Sequence, residues 1–168
     1  MFSLIAKILL ASKVRHDNNL RQKKFMPWDK IEKIALIINK EATVNKSAID
    51  KFIDDTKKYI EVFYIETKSK HASFGDWKCF LKKDSSILNL PKKTIEAELK
   101  HKRYDLVINT CKANNLFSAY LSSSLAASFK CASSGRFMDA DLIIRRADPD
   151  NLLDFLKDTV HYLKMIRV

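Results

Sequence analysis

The sequence predicts a three-layer α/β domain with a mainly parallel sheet, Rossmann-like or flavodoxin-like, preceded by a basic amphipathic helix. Three observations predict it. Short apolar, largely β-branched runs such as Ile34–Ile38 and "YDLVIN" (104–109) read as strands buried on both faces, as parallel sheets require. Helical patterns alternate with these runs, as in βαβ units. A chain of 168 residues with 46% hydrophobic and 30% charged content suits one domain that cores itself without disulfides or metals.

The elements follow in order. Residues 1–14 predict an amphipathic helix, with Ser3 and Lys7 on a narrow polar stripe and Phe2, Leu4, Ile5, Ile8, Leu9 and Leu10 around it. The run is too short to span a bilayer. Lys7 interrupts it and no small-x-small cleavage site is clear, so it does not read as a secretory signal. "KVRHDNNLRQKK" (13–24) then carries five Lys/Arg against one Asp. Residues 1–27 form a basic arm, and Pro27 and Trp28 open a single domain over 28–168.

Within that domain Ile34–Ile38 is the first strand. A helix follows near 47–58, with Ser47 and Asp50 as a capping box and Ile49, Phe52 and Ile53 facing the core. "YIEVFYIE" (59–66) is the second strand. After a turn at Gly75, Trp77, Cys79 and Leu81 alternate with Lys78, Phe80 and Lys82 in a third. Pro91 opens a helix reaching Lys102, with Ile95 and Leu99 inward. After Tyr104–Asn109, Asn114 caps a helix over 115–127, with Leu116, Tyr120, Leu125 and Ala127 toward the core. "SFKCAS" and "ADLIIRR" give two further strands around Gly135. Asp148-Pro149-Asp150 starts a last helix to Met165, burying Leu152, Leu153, Phe155, Leu156, Val160, Leu163 and Met165.

Several kinds of chemistry lack their parts. The chain has two glycines, Gly75 and Gly135, so neither a G-x-G-x-x-G turn nor a Walker loop can be built. His16, His71, His101 and His161 are scattered without metal-ligand spacing, and no G-x-S-x-G elbow is present; Ser122–Ser124 lie within a helix. Cys79, Cys111 and Cys131 are odd in number and form no C-x-x-C pair, which predicts small buried or half-buried thiols in a reducing compartment. A catalytic Cys111 would need a partner histidine that the sequence does not indicate. Asp139 and Asp141 read as turn residues. The expectation is a cytoplasmic protein with no cofactor, no metal and no catalytic residues.

Two candidate sites remain. The loop with Asn109, Thr110, Lys112, Asn114 and Asn115 follows the carboxyl end of a central strand and precedes a helix N-terminus. In α/β sheets that junction holds anions and ligands, although a plain turn with Asn caps explains the same residues. The second candidate is the arm, where Lys7, Lys13, Arg15, Arg21, Lys23 and Lys24 concentrate part of a formal net charge of +11. Such a surface suits a polyanion: the leading expectation is RNA on a ribosomal particle, and the alternative is an anionic membrane reached by the first helix.

The order "KIALIIN", "FGDWKCF", "YDLVINTCKANNLFSAYLSSSLAASFKCASS", "DADLIIRR" and "LLDFLKDTVHYLKMI" resembles a family of small α/β proteins known mainly from Bacteroidota, a domain of unknown function. The resemblance rests on the strands Ile34–Ile38, Tyr104–Asn109 and Phe129–Cys131 and on the segment Phe74-Gly75-Asp76-Trp77. The chain departs from it with Ala-Ser after Cys131, where glycine is usual, and with an inserted Asp76. These motifs are structural and imply no catalysis. More distantly, "YDLVIN" resembles the amino-terminal half of heptosyltransferase-like glycosyltransferases, which implies a vestigial nucleotide or sugar-phosphate site at Asn109–Asn115. Those enzymes need a second domain for which this chain has no room.

Overall fold

Six strands form one sheet: β1 (Lys33–Asn39), β2 (Tyr59–Glu66), β3 (Lys78–Leu81), β4 (Arg103–Asn109), β5 (Ala126–Ala132) and β6 (Leu142–Ile143). The structure, a computed structural model, describes residues 2–40, 44–70, 74–112, 114–133, 139–145 and 151–166. The strand order is β3-β2-β1-β4-β5-β6, and every neighbouring pair is parallel. The order reverses between β1 and β4, which makes that pair the topological switch point. An α/β fold with a parallel sheet is therefore present.

A sheet covered on both faces needs central strands that are apolar on both. In β1, Ile34 through Ile38 are each no more than 1% exposed. Ile34, Leu36 and Ile38, with Leu106, Ile108 and Phe129, face one core. There they meet α2 (Lys46–Thr56) through Ile49 and α5 (Leu152–Met165) through Phe155, Leu156 and Leu163. Ala35, Ile37, Phe63, Phe80 and Val107 face the other core. They meet α3 (Lys93–Leu99) through Ile95 and Leu99, and α4 (Leu116–Ser124) through Phe117 and Leu121.

The first helix, α1 (Phe2–Leu20), is longer than expected and packs on the domain. Leu10 is fully buried against Ala119 of α4 and Ala132 of β5. Lys13 lies over the Tyr120 ring, and Asp17 and Leu20 share a cleft with Ser123 and Ser124. Successive α1 residues thus meet successive α4 residues, so the two helices run parallel and start at the carboxyl end of the sheet.

Several boundaries differ from the sequence expectation, each for a local reason. The α2 cap is Asn45, whose side chain accepts from Ala48 N; Asp50 instead accepts from Trp77 Nε1 and Lys46 Nζ. The N-cap of α3 is Lys92, so Pro91 lies outside the helix, which ends at Leu99. The α4 cap is Asn115, not Asn114, and the helix stops at Ser124. "AAS" is not helical, because Ala126 and Ala127 pair with Arg103 and Tyr104 at the start of β5. Gly135 and Arg146 lie outside the described residues; among the described residues of the expected strand "ADLIIRR", Leu142 and Ile143 alone pair with β5. The start at Asp148–Asp150 lies outside the described residues; α5 is capped by Asn151, and Met165 is exposed. Gly75 does hold a turn, at φ 65, a left-handed conformation that side-chain-bearing residues avoid.

The Leu10 contact yields a prediction. Leu10→Ala is expected to destabilise the protein by about 2–5 kcal/mol, as for other fully buried leucines, read as a lower urea midpoint. Leu9→Ala, one residue away on the exposed side of the helix, is expected to leave the midpoint nearly unchanged.

Candidate functional site

The loop at the switch point is built largely from its own hydrogen bonds. Asn109, the last residue of β4, is buried; its Nδ2 donates to Ser118 O at 3.2 Å, and its Oδ1 accepts from Cys111 N at 3.0 Å. Thr110 donates twice to Ile37 O, from its backbone N at 3.0 Å and from Oγ1 at 2.9 Å. Asn115 Oδ1 accepts from Ser118 N at 3.0 Å as the α4 cap. Cys111 is fully buried in the second core. Three of the five expected residues are thus brought together as the internal scaffold of a turn. Lys112 and Asn114 are exposed on it. Asn39, the last residue of β1, is buried with Nδ2 unpartnered.

Lysines follow the strands along this edge of the sheet. Lys40 follows β1, Lys68 and Lys70 follow β2, Lys82 and Lys83 follow β3, and Lys112 follows β4; all six are exposed. The described acids beside them are turned to local work. Buried Glu66 pairs with Lys40, and Asp84 accepts from Leu81 N at 2.8 Å. The carboxyl edge of the sheet is consequently a lysine face.

The first turns of α1 reach the same edge. At 1.5 Å rise per residue, the pairing of Leu10 with Ala119 sets Leu4 and Ile5 level with the loop of Lys112. Leu4, Ile5, Ile8 and Leu9 are between 42% and 64% exposed and form one outward stripe. Farther along, that outward face becomes polar, with Ser12, Arg15, His16 and Asn19 exposed. The helix is thus apolar on two sides in its first half: inward at Ala6 and Leu10, outward at the stripe.

The arm holds the opposite end. Arg21 makes a bidentate pair with Asp141, Nη1 to Oδ2 at 2.5 Å and Nη2 to Oδ1 at 2.8 Å, and lies 3.3 Å from Asp139. Lys130 in β5 is buried at 1% exposure; its Nζ donates to Asp139 Oδ2 and Ser122 O, both at 2.8 Å. Asp141 also accepts from Lys130 N at 3.0 Å. Lys23 pairs with Asp141, and Lys13 pairs with Asp17 and Glu96. Of the six arm residues read as a polyanion surface, Lys13, Arg21 and Lys23 therefore serve ion pairs inside the chain. Lys7, Arg15 and Lys24 are exposed.

The energetics of this cluster follow from burial. Burial depresses the Lys130 ammonium, against the opposing pull of Asp139. Burial alone would raise the Asp141 carboxyl, but the Arg21 hydrogen bonds and charge hold it below the usual range. Burial raises Asp17, with Lys13 opposing. The Cys131 thiol is pushed up to about 12 by burial, which makes it a core thiol rather than a nucleophile.

Between the arm and the amino ends of β4 and β5 lies a cleft of about 670 Å³, lined by Asp17, Arg21, Lys24, Arg103, Ser123 and Lys130 among others. The sequence reading missed this cleft, the lysine edge and the role of Asp139 and Asp141. One signal was present: Lys130 stands inside a strand otherwise buried on both faces, and such a lysine demands a carboxylate partner. Among the described residues no group of three or more His, Cys, Asp or Glu could hold a metal ion, and no helix is long and apolar enough to cross a membrane.

A family model described as a family of unknown function (DUF6913) matches residues 5–166. No curated protein and no solved structure matches the chain.

The Arg21–Asp141 pair predicts a pH dependence. A carboxyl depressed on folding stabilises fully above its unfolded pKa, about 3.9, and loses that contribution as pH falls through the lower folded value. Asp141→Asn should therefore be less stable than the parent at neutral pH, with a gap that narrows below about pH 4. Urea midpoints across the pH range measure this; a constant gap would contradict it.

Proposed function

The chain belongs to DUF6913, a family of unknown function, and we propose that it is a binding protein that docks peripherally on an anionic membrane surface through the outer face of α1 and the lysine edge. The observation that carries this reading is the exposed aliphatic stripe Leu4, Ile5, Ile8 and Leu9, set level with the lysines of the carboxyl edge. Solvated lysines alone suit any polyanion, RNA included. Four clustered aliphatic side chains on the outward face of a docked helix suit a bilayer interface, where an apolar face enters the headgroup boundary and flanking lysines meet anionic lipid.

The magnitudes require both features. Each partly exposed aliphatic side chain contributes on the order of 1 kcal/mol on burial. Each lysine within reach of an anionic surface adds about 1 kcal/mol at physiological salt. Neither set alone gives firm attachment, whereas the two together do. Orientation follows: the carboxyl edge and the start of α1 face lipid, and the cleft at the amino edge faces away.

Co-sedimentation with vesicles tests it. The protein is expected to pellet with phosphatidylcholine/phosphatidylglycerol vesicles and only weakly with phosphatidylcholine alone, and high salt should reduce the binding. Substituting Leu4, Ile5, Ile8 and Leu9 by Ser, each more than two-fifths exposed, is expected to lower vesicle affinity at least about tenfold, with the urea midpoint lowered only as far as the weaker helix propensity of serine requires. Equal binding by the four-serine variant would overturn the proposal. So would absence from the anionic pellet; retention of RNA in a parallel filter assay would then transfer the lysine edge to a ribosomal or other RNA partner.

A further inference from the structure

We infer that the cleft beneath the arm is a binding site for a small phosphorylated molecule whose head group both donates and accepts hydrogen bonds, such as a nucleotide or a sugar phosphate. The site lies at the amino edge of the sheet, away from the lysine edge, and does not depend on membrane docking.

The first observation concerns unpaired polar atoms. Four buried side-chain atoms among the described residues have no hydrogen-bond partner, and three belong to residues lining this one cleft: Asp17 Oδ2, Arg21 Nε and Ser123 Oγ. They come from the arm and from the end of α4, so no single element accounts for the coincidence. Buried polar groups are normally paired. All three atoms are closed to solvent behind the cleft wall, so a ligand reaches them where the wall side chains turn, as an acceptor, a donor and a hydroxyl that serves as either. That set matches a head group of mixed polarity and does not match a purely apolar or purely cationic one.

Charge supplies the second observation. The buried cations of the wall are already neutralised, Arg21 by Asp141 and Lys130 by Asp139. Asp17 is neutralised by Lys13. Lys24 and Arg103 remain: both line the cleft, both are exposed, and neither is ion-paired among the described residues. Two uncompensated cations beside ion-paired side chains and the Ser123 hydroxyl suit a phosphate of about two negative charges. Lys24 is also fixed at the backbone, its N donating to Ser128 O at 3.0 Å, so the rim is held against β5.

Size and shape agree. About 670 Å³ lies within the range of small-molecule sites, and Leu20, Leu125 and Ala127 give the wall an apolar part for the body of a ligand. The Asp17 carboxyl, raised by burial, is suited to a head group that carries its own hydrogen-bond donor.

Isothermal titration of the full chain is the test, with nucleoside 5′-monophosphates and hexose phosphates as probes and with inorganic phosphate and unphosphorylated nucleosides as controls. Saturable binding of at least one phosphorylated probe is expected, about tenfold or more tighter than inorganic phosphate. Lys24→Ala/Arg103→Ala, at exposed positions, should weaken it about tenfold or more with an unchanged urea midpoint. Ser123→Ala should weaken the phosphorylated probe but not inorganic phosphate, which separates head-group recognition from charge. The inference is overturned if no phosphorylated probe binds saturably. It is also overturned if every probe binds no better than inorganic phosphate, or if the double variant binds as well as the parent. Vesicle binding by the double variant should match that of the parent, so failure here and failure of membrane docking are separate results.

Discussion

Lys130 is an ammonium carried into the interior of a parallel sheet, and the arm depends on how that charge is met. Removing such a group from water costs several kcal/mol unless carboxylates and carbonyls receive it. Asp139 and Ser122 O receive Nζ, while Asp141 takes the backbone N of the same residue and both nitrogens of the Arg21 fork. One strand residue thus fixes the approach to β6, and the approach to β6 fixes the arm. Because α1 is continuous with the arm, its docking through Leu10 and the roof of the cleft follow from the same cluster.

This arrangement divides the basic charge of the chain into two populations. Lys13, Arg21, Lys23 and Lys130 are neutralised within the fold. The lysines that follow β1 to β4 are exposed at the carboxyl edge, where Lys40 pairs with Glu66 and Asp84 is held by a local bond. The densest basic run in the sequence is therefore largely structural. The exposed lysines of the carboxyl edge are dispersed along the chain and gathered only by the sheet.

That difference explains what the sequence could and could not disclose. β1, β2 and β4 are legible because burial on both faces demands continuous apolar runs, as in Ile34–Ile38, Val62–Ile65 and Leu106–Ile108. The caps are legible in kind but shifted in place, since Asn45 and Ser47, or Asn114 and Asn115, compete within two residues and only the backbone angles choose. The end of α4 is illegible from propensity because "LAAS" suits a helix, and pairing with Arg103 and Tyr104 decides for strand. The switch-point loop is legible as a turn, but whether its Asn and Thr groups face a ligand or the backbone depends on Ile37 and Ser118, which only the fold brings to it. The cleft is illegible for a stronger reason: its walls come from residues 17–24, 103–104 and 123–130, and no short-range pattern links them.

The usual rule for open α/β sheets places ligands at the carboxyl ends of the strands, at the switch point. In this chain that position exists between β1 and β4, but Asn109, Thr110 and Asn115 fill it with bonds to the backbone of Ile37, Cys111 and Ser118, and neither of the two glycines lies in that loop. Concavity arises instead at the amino edge, where an ordinary βα unit would offer only short helix-to-strand turns. It arises because the arm folds back across β5 and is held there by buried charge. The concave surface is thus a property of the N-terminal addition rather than of the sheet, and functional inference for this fold has to start from the arm's ion pairs and not from its topology.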